Sequence, residues 1–368
     1  MIERFHGIDR HKRFSTISML NREGQELRLI PACTNLKEYI EALGPEDAVV
    51  MEASTGAFWW ADQAEAKGAL CFILDPHKFK IIKDSWNKTD KRDARNMVKA
   101  LWVYLITGEF GIPTVYKPDA VSRELRKLFS QYALLTKQIT MHKNNIQAIL
   151  AENGIVLPQV EKIRLLSPKY GLSLLSELEL SEASRISIQI SVQLLWKIEE
   201  AKNRISNEII LTGDPIKEQV KLLITIKGIS PLMALAFLAD VGDIRRFKTS
   251  RKMNAYLGLV PKAKDSGGKN KPGHINRESR KLTRTILTQS LIHVTDASLH
   301  FRHYYDELKI RRGTGRARIA LIRKLCGVMR RMLLNEEEYH HTKADLFKRK
   351  LREYENRLEK IRLEKKIA

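Results

Sequence analysis

Between residues 4 and 106 the chain sets down three strand-like runs before its first helix-like one, and from there strands and helices alternate. Two short runs fill residues 4–20, and the turn Asn21-Arg22-Glu23-Gly24 leads to a third at 27–30. Helix-like 36–43, strand-like 48–52, helix-like 57–67, strand-like 70–74 and helix-like 90–106 follow. A meander that passes into alternation predicts one mixed α/β sheet with helices on both faces.

Acids stand at the ends of these elements. Asp9 follows Arg4-Phe5-His6-Gly7-Ile8, and Glu52 closes Ala48-Val49-Val50-Met51. In Lys88-Thr89-Asp90-Lys91-Arg92-Asp93-Ala94 two carboxylates lie three residues apart, on one face of a helix, where they repel unless a proton or cation sits between them. If the strands are neighbours and the helix packs on them, Asp9, Glu52, Asp90 and Asp93 converge. Four oxygen donors suit a hard ion, Mg²⁺ before Zn²⁺.

The formal net charge of +22 over 368 residues exceeds what solubility needs and calls for a polyanionic partner, nucleic acid before an anionic membrane surface. With 43% hydrophobic and 29% charged residues the composition is that of a folded protein, not a basic tail. Cys33, Cys71 and Cys326 are scattered and odd in number, which gives neither a disulfide framework nor a zinc site. With no apolar signal region after Met1 and no run of membrane-spanning length, the expected place is the reducing cytoplasm.

Beyond Pro118 the pattern changes. Leu125, Leu128, Tyr132, Leu135, Ile139, His142, Ile146 and Ile149 recur at three- and four-residue steps, a coiled-coil seam. A break over 153–169 precedes a second face through Ile190, Leu194, Ile198, Ala201, Ile205 and Ile209. Two antiparallel helices within the chain, or helices paired between subunits, would satisfy both. After Thr212-Gly213-Asp214-Pro215, the stretch from Leu222 through Gly228, Ile229, Ser230 and Pro231 is similar to a helix-hairpin-helix, whose turn aims backbone N–H groups at a phosphate. Ser230 stands where the second glycine is usual, and a purely structural hairpin is the other reading. Lys227, Arg245, Arg246, Lys248, Arg251 and Lys252 could track a nucleic-acid backbone.

Ser266 precedes Gly267 and Gly268 in a stretch that also holds Lys264, Lys269 and Lys271. Small neighbours allow close backbone approach, and lysines would hold a phosphate as charge grows on it. Taken alone, Ser266 is an ordinary loop serine. Trp59 and Trp60 read as core residues, and His11 and His274 as surface histidines able to touch phosphate. The run from Lys309 through Arg311, Arg312, Gly313, Arg316 and Arg318 reads as a basic loop entering a helix and contacting a nucleic-acid backbone. The tail, 342–368, is either a solvated helix or an RNA-binding extension.

Five ordered blocks resemble the DEDD transposases of one bacterial insertion-sequence family, the bridge-RNA-guided serine recombinases that also include the Piv-type invertases. They are Gly7-Ile8-Asp9-Arg10-His11-Lys12, Met51-Glu52-Ala53-Ser54-Thr55-Gly56, the Lys88 to Ala94 stretch, the hairpin, and Gly258-Leu259-Val260-Pro261 with Ser266-Gly267-Gly268 and the Arg323-Lys324-Leu325 helix. The departures are Ser230 and Arg277-Glu278-Ser279-Arg280, where a glycine-containing turn is commoner.

The resemblance implies an RNase H-like (RuvC-like) domain at 1–118, a coiled-coil region at 119–212, a mainly helical C-terminal transposase domain at 216–340 and a charged tail at 341–368. It implies that Asp9, Glu52, Asp90 and Asp93 bind Mg²⁺ and that Ser266 attacks DNA to form a covalent phosphoserine. It further implies a noncoding guide RNA paired with donor and target DNA, no membrane partner, and dimers assembling into a tetramer whose subunits share each site. A RuvC-like nuclease or junction resolvase would use the same acids for hydrolysis and have no use for Ser266. A non-catalytic nucleic-acid-binding derivative is a third reading, against which the presence of all four acids argues.

Overall fold

The computed structural model describes residues 1–79, 89–108, 111–266, 269–275 and 282–367, which form two compact units, Met1–Lys117 and Pro118–Ala368. Arg277-Glu278-Ser279-Arg280 and Lys88 lie outside the described residues.

In the first unit, β1 (Arg4–Arg10), β2 (Ser15–Leu20), β3 (Glu26–Cys33), β4 (Asp47–Glu52) and β5 (Leu70–Leu74) make one sheet of order β3-β2-β1-β4-β5. The meander β1-β2-β3 is antiparallel, whereas β4 lies parallel to β1 and β5 parallel to β4. The helices are α1 (Leu36–Glu41), α2 (Ala57–Ala66) and α3 (Asp90–Ile106). This is the mixed sheet the pattern predicts, and its order is compatible with the RNase H-like expectation.

Two-residue periodicity sorts the strands onto two cores. Ile8, Ile17, Val49 and Met51 pack with Leu36, Ile40 and Ala61 of α1 and α2. Phe5, Leu20, Ala48 and Val50 pack with Met97, Val98 and Leu101 of α3. Gly7 lies between these layers, and a Cβ there would stand 2.3 Å from the Ala94 carbonyl oxygen and 2.8 Å from the Val98 nitrogen. The absence of a side chain is what lets α3 settle directly on β1. Trp59 departs from its expectation as core: it is 50% exposed, because the first turn of α2 presents it outward beside Trp60.

Among its described residues the second unit is helical apart from one hairpin. Its long helices α4 (Ala120–Glu152) and α7 (Glu182–Thr212) run antiparallel, shown by the Lys143–Glu199 ion pair and the Asn145–Ser191 and Asn153–Ser184 hydrogen bonds, so the seams meet within the chain. The α7 seam differs from the expected one. Ile188, Val192 and Leu195 are buried, while Ile190 and Leu194 are 52% and 44% exposed. Apolar residues occupy both sides of that part of α7, so periodicity alone could not select the face that meets α4. Between them, α5 (Gln159–Leu165) and α6 (Gly171–Glu177) bury Leu165, Leu174 and Leu175 in the same cluster.

Next come α8 (Lys217–Ile224), α9 (Pro231–Val241), α10 (Ser250–Tyr256), the strands β6 (Pro261–Ser266) and β7 (Lys269–Ile275), then α11 (Leu282–Ala297), α12 (Leu299–Arg312), α13 (Thr314–Asn335) and α14 (Ala344–Ile367). The basic run beginning at Lys309 is a correction: it is not a loop but the last turn of α12 and the first of α13, joined by Gly313 at φ 78°. Lysine and arginine are good helix formers, and one left-handed glycine suffices to break direction. The tail also has a structural place. Tyr354, Leu358 and Ile361 of α14 join the core around α8, and Lys350 donates to the carbonyls of Ile224 and Ile226, its ammonium drawn down to about 8 by burial.

No helix among the described residues is long and apolar enough to cross a membrane.

Candidate metal centre and serine hairpin

Parallel pairing of Ile8 with Met51 carries Asp9 and Glu52 to the same edge of the sheet. Alternation puts Asp9 on the face of Phe5 and Gly7, and Glu52 on that of Ala48 and Val50, which is the face α3 covers. Thr89 caps α3, its side chain accepting from the Arg92 amide, so Asp90 and Asp93 occupy the first turn. There the positive end of the helix offsets part of the cost of gathering acids. The chain therefore brings its four predicted acids to one corner.

Asp9 is only 8% exposed. Burial pushes its carboxyl above the ordinary range, Asp90, Asp93 and Glu52 push the same way, and His11 opposes them. Glu52, Asp90 and Asp93 thus lie near enough to Asp9 to act on its charge. His11 is the residue the sequence reading left out. Its Nε2 lies 3.2 Å from an oxygen of Asp9 and 3.2 Å from one of Asp90. Donor atoms of Asp9, His11 and Asp90 lie within 4.8 Å of one another, a spacing from which they could hold a metal ion. It follows Asp9 by two residues, just past the end of β1, and the turn there brings its ring back to the acids. Three or four carboxylates with one imidazole fit a divalent cation, because the cation removes the repulsion that raises Asp9.

In the second unit Ser266 ends β6 and pairs with Lys269, the first residue of β7. The two residues between them in the sequence, Gly267 and Gly268, lie outside the described residues. Asp265 pairs with Asn270 and Lys264 with Lys271. The chain on either side of the hairpin is tied to neighbouring helices. Arg284 donates to the Gly258 carbonyl at 3.2 Å, and the buried Asp240 carboxylate accepts from both the amide and the hydroxyl of Thr283 at 2.8 Å. His274 lies in β7.

The remaining predicted contacts divide. Arg245, Lys248, Arg251, Arg311, Arg312, Arg316 and Arg318 are exposed. Arg246 is engaged instead with its own fold, its guanidinium 3.9 Å from the Phe247 ring centre and 4.2 Å from that of Tyr256, and its Nε donating to Val241 O. Lys227 sits half-buried in the hairpin turn. Gly228 there has φ +94°, and a Cβ would meet the Val294 nitrogen at 2.8 Å, so this glycine serves packing against α11. Ser230 caps α9, accepting from the Met233 amide.

An acidic cluster suited to a divalent ion at the edge of a mixed sheet, with a strongly basic chain around it, defines an enzyme that works on nucleic-acid phosphates. Comparison with known proteins specifies it. Residues 6–154 match the DEDD transposase family model, and residues 220–306 match the model of the transposase IS116/IS110/IS902 family. The chain is 26% identical over 308 residues to the transposase for insertion sequence element IS1111A of Coxiella burnetii, covering 79% of each. Over 291 residues it is 23% identical to a probable family 20 transposase of Pseudomonas aeruginosa, covering 77% of this chain and 78% of that one. It is 27% identical over 254 residues to the transposase for element IS1328 of Yersinia enterocolitica, covering 67% and 70%. This is an insertion-sequence transposase carrying the DEDD and IS116/IS110/IS902-family domains, an enzyme that recombines DNA with the use of a divalent metal.

Proposed function

We propose that this transposase is an RNA-guided recombinase with an RNase H-like metal domain, in which Asp9, Glu52, Asp90 and Asp93 hold Mg²⁺ and Ser266 is the nucleophile. The observation that carries the reading is the place of Ser266 in the hairpin: it ends β6 paired with Lys269, and Lys264 pairs with Lys271 two positions away. Bound at the carboxylates, the ion supplies charge neutralisation at the phosphate and lowers the pKa of an attacking oxygen. The acids hold and orient; His11 links Asp9 to Asp90. Lys264, Lys269 and Lys271 would meet the negative charge that builds on the phosphoryl oxygens. The Ser266 hydroxyl oxygen bonds to phosphorus as its proton passes to a base, and the strand's P–O ester breaks, its leaving oxygen taking a proton to become a free hydroxyl end. One ester replaces another, so the strand can be rejoined without an outside energy source.

Base pairing by a noncoding RNA with donor and target DNA would choose the sites, and exposed arginines such as Arg311, Arg312, Arg316 and Arg318 would hold the backbones. The acids and Ser266 belong to different compact units, which accords with dimers assembling into a tetramer that shares sites. The free thiols of Cys33, Cys71 and Cys326 accord with work in a reducing cytoplasm.

The test is an adduct assay with the native flanking DNA and Mg²⁺, followed by denaturation and mass spectrometry. A nucleotide ester on Ser266, absent in Ser266→Ala, is the expected result. Cleaved DNA with no adduct would instead establish hydrolysis, the reading that the acidic cluster by itself favours.

A further inference from the structure

Beside the candidate metal centre, the turn between β1 and β2 borders an open cavity of about 200 Å³, several times the roughly 30 Å³ of one water. Arg10 lines it from the end of β1, Lys12 and Arg13 from the turn and Lys37 from α1, and among the described residues no carboxylate lines it. Trp60 forms one wall, and His11, which touches Asp9 and Asp90, forms another. Four cations gathered in a concave site repel one another, and the arrangement is relieved by an anion.

Their existing partners do not provide it. Lys12 and Arg13 make no ion pair with any described residue, and Lys37 reaches Glu41 at 3.9 Å. Arg10 is held in place by the Ser54 hydroxyl at 3.3 Å and the Thr55 carbonyl, both uncharged, and its Nε is buried with no hydrogen-bond partner. A guanidinium anchored through one edge with its Nε unmet is suited to a bidentate oxyanion.

We infer that this cavity binds a backbone phosphate of a nucleic-acid strand, next to the phosphate presented to the carboxylates. The argument for a strand rather than a free anion is adjacency. Arg10 follows Asp9 directly in the chain and His11 borders both sites. A strand with one phosphate at the acids has further phosphates a nucleotide away on either side, and here the acidic field gives way to a basic one. The pocket would fix which way the strand runs across the sheet edge. This assignment rests on the carboxylates being the place where DNA is cut, but not on Ser266.

The experiment is a backbone-amide NMR titration of the full-length protein in EDTA, first with inorganic phosphate and then with a six-nucleotide oligothymidylate. Saturable shifts at residues 10–15 and 33–37 are expected, at least tenfold tighter for the oligonucleotide. The exposed double variant Lys12→Ala, Arg13→Ala should weaken that binding tenfold or more, with amides elsewhere unmoved. Asp90→Asn, which removes a nearby negative charge, should bind undiminished. Shifts spread over the basic surface without saturation at 10–15, an unaffected double variant, or phosphate binding as tightly as the oligonucleotide would each overturn it. Cutting by Asp90→Asn would count against the carboxylate reading while leaving the measured pocket intact, so the two failures are distinguishable.

Discussion

The two ends of the β1–β4 pair each bury an aspartate, and they treat it in opposite ways. At one end Asp47 is fully buried, yet Arg4 Nε donates to it at 2.6 Å, His6 Nε2 lies at 2.9 Å and the Gly44 amide donates at 2.7 Å. These partners hold its carboxyl well below the ordinary range despite burial. At the other end Asp9 is nearly as buried, but against the one imidazole of His11 stand Glu52, Asp90 and Asp93, and burial with these acids pushes its carboxyl up. The same strands thus carry one carboxylate whose charge the chain itself satisfies and one whose charge it leaves to something else. A structural ion pair completes itself, whereas a metal centre is built incomplete, and the missing charge is the site's affinity for a cation.

Four experiments sharpen or break this contrast. Asp90→Asn should lower strand cleavage by roughly 10³-fold or more while DNA affinity changes little, as expected for a group that acts on the reacting phosphate. Cleavage within a few-fold of wild type would place the chemistry elsewhere.

Gly7→Ala should be the next largest effect, because the new methyl meets the Ala94 carbonyl and must lift the helix that carries Asp90 and Asp93. A loss of about 1–3 kcal/mol in urea unfolding, with at least a tenfold loss of cleavage, is expected. Wild-type cleavage in a destabilised variant would show that α3 need not sit close.

Asp47→Asn should cost about 2 to 3 kcal/mol near pH 6, since it leaves Arg4 and His6 without their anion. The sign with pH follows from the depressed carboxyl. Its stabilisation is full above the unfolded value of 3.8 and is lost as pH falls on through the depressed folded value, so the gap between wild type and variant should begin to narrow in urea titrations at pH 3 and narrow further at lower pH. A gap independent of pH would mean that packing, not charge, is what the substitution removes.

The smallest effect has the opposite sign. Asp9→Asn removes a buried charge crowded by three others, and should raise the stability of the metal-free protein by about 1 kcal/mol while abolishing cleavage. Added Mg²⁺ should raise the melting temperature of the wild type but scarcely that of the variant. If Asp9→Asn destabilises as Asp47→Asn does, the two ends are alike and the contrast fails.

Much of the sheet was legible. Alternation placed β1 to β5 and α1 to α3, since half-buried strands and surface helices write their burial into the sequence at fixed periods. The acids were legible because each closes or opens an element, at Asp9, Glu52 and Asp90. His11 was not. Its role depends on how the chain turns after β1, and nothing local distinguishes it from His274. The α7 face was misread because Ile188, Ile190, Val192 and Leu194 are all apolar, and only α4 decides which side is covered. Arg246 looked like its basic neighbours until Phe247 and Tyr256 closed around it.

The sequence by itself therefore determined the element order, the acids at the strand edge and helix start, the basic character of the chain and the serine beside Gly-Gly, because local propensity and spacing encode them. Only the tertiary structure decided that His11 links Asp9 to Asp90, that four cations share a pocket beside them, that Asp240 receives Thr283 and Arg284 reaches Gly258, and that the tail joins the core. These are contacts between residues distant in the chain or set by a turn. Their energies depend on which surfaces meet and which charges burial brings together, and no local period records that.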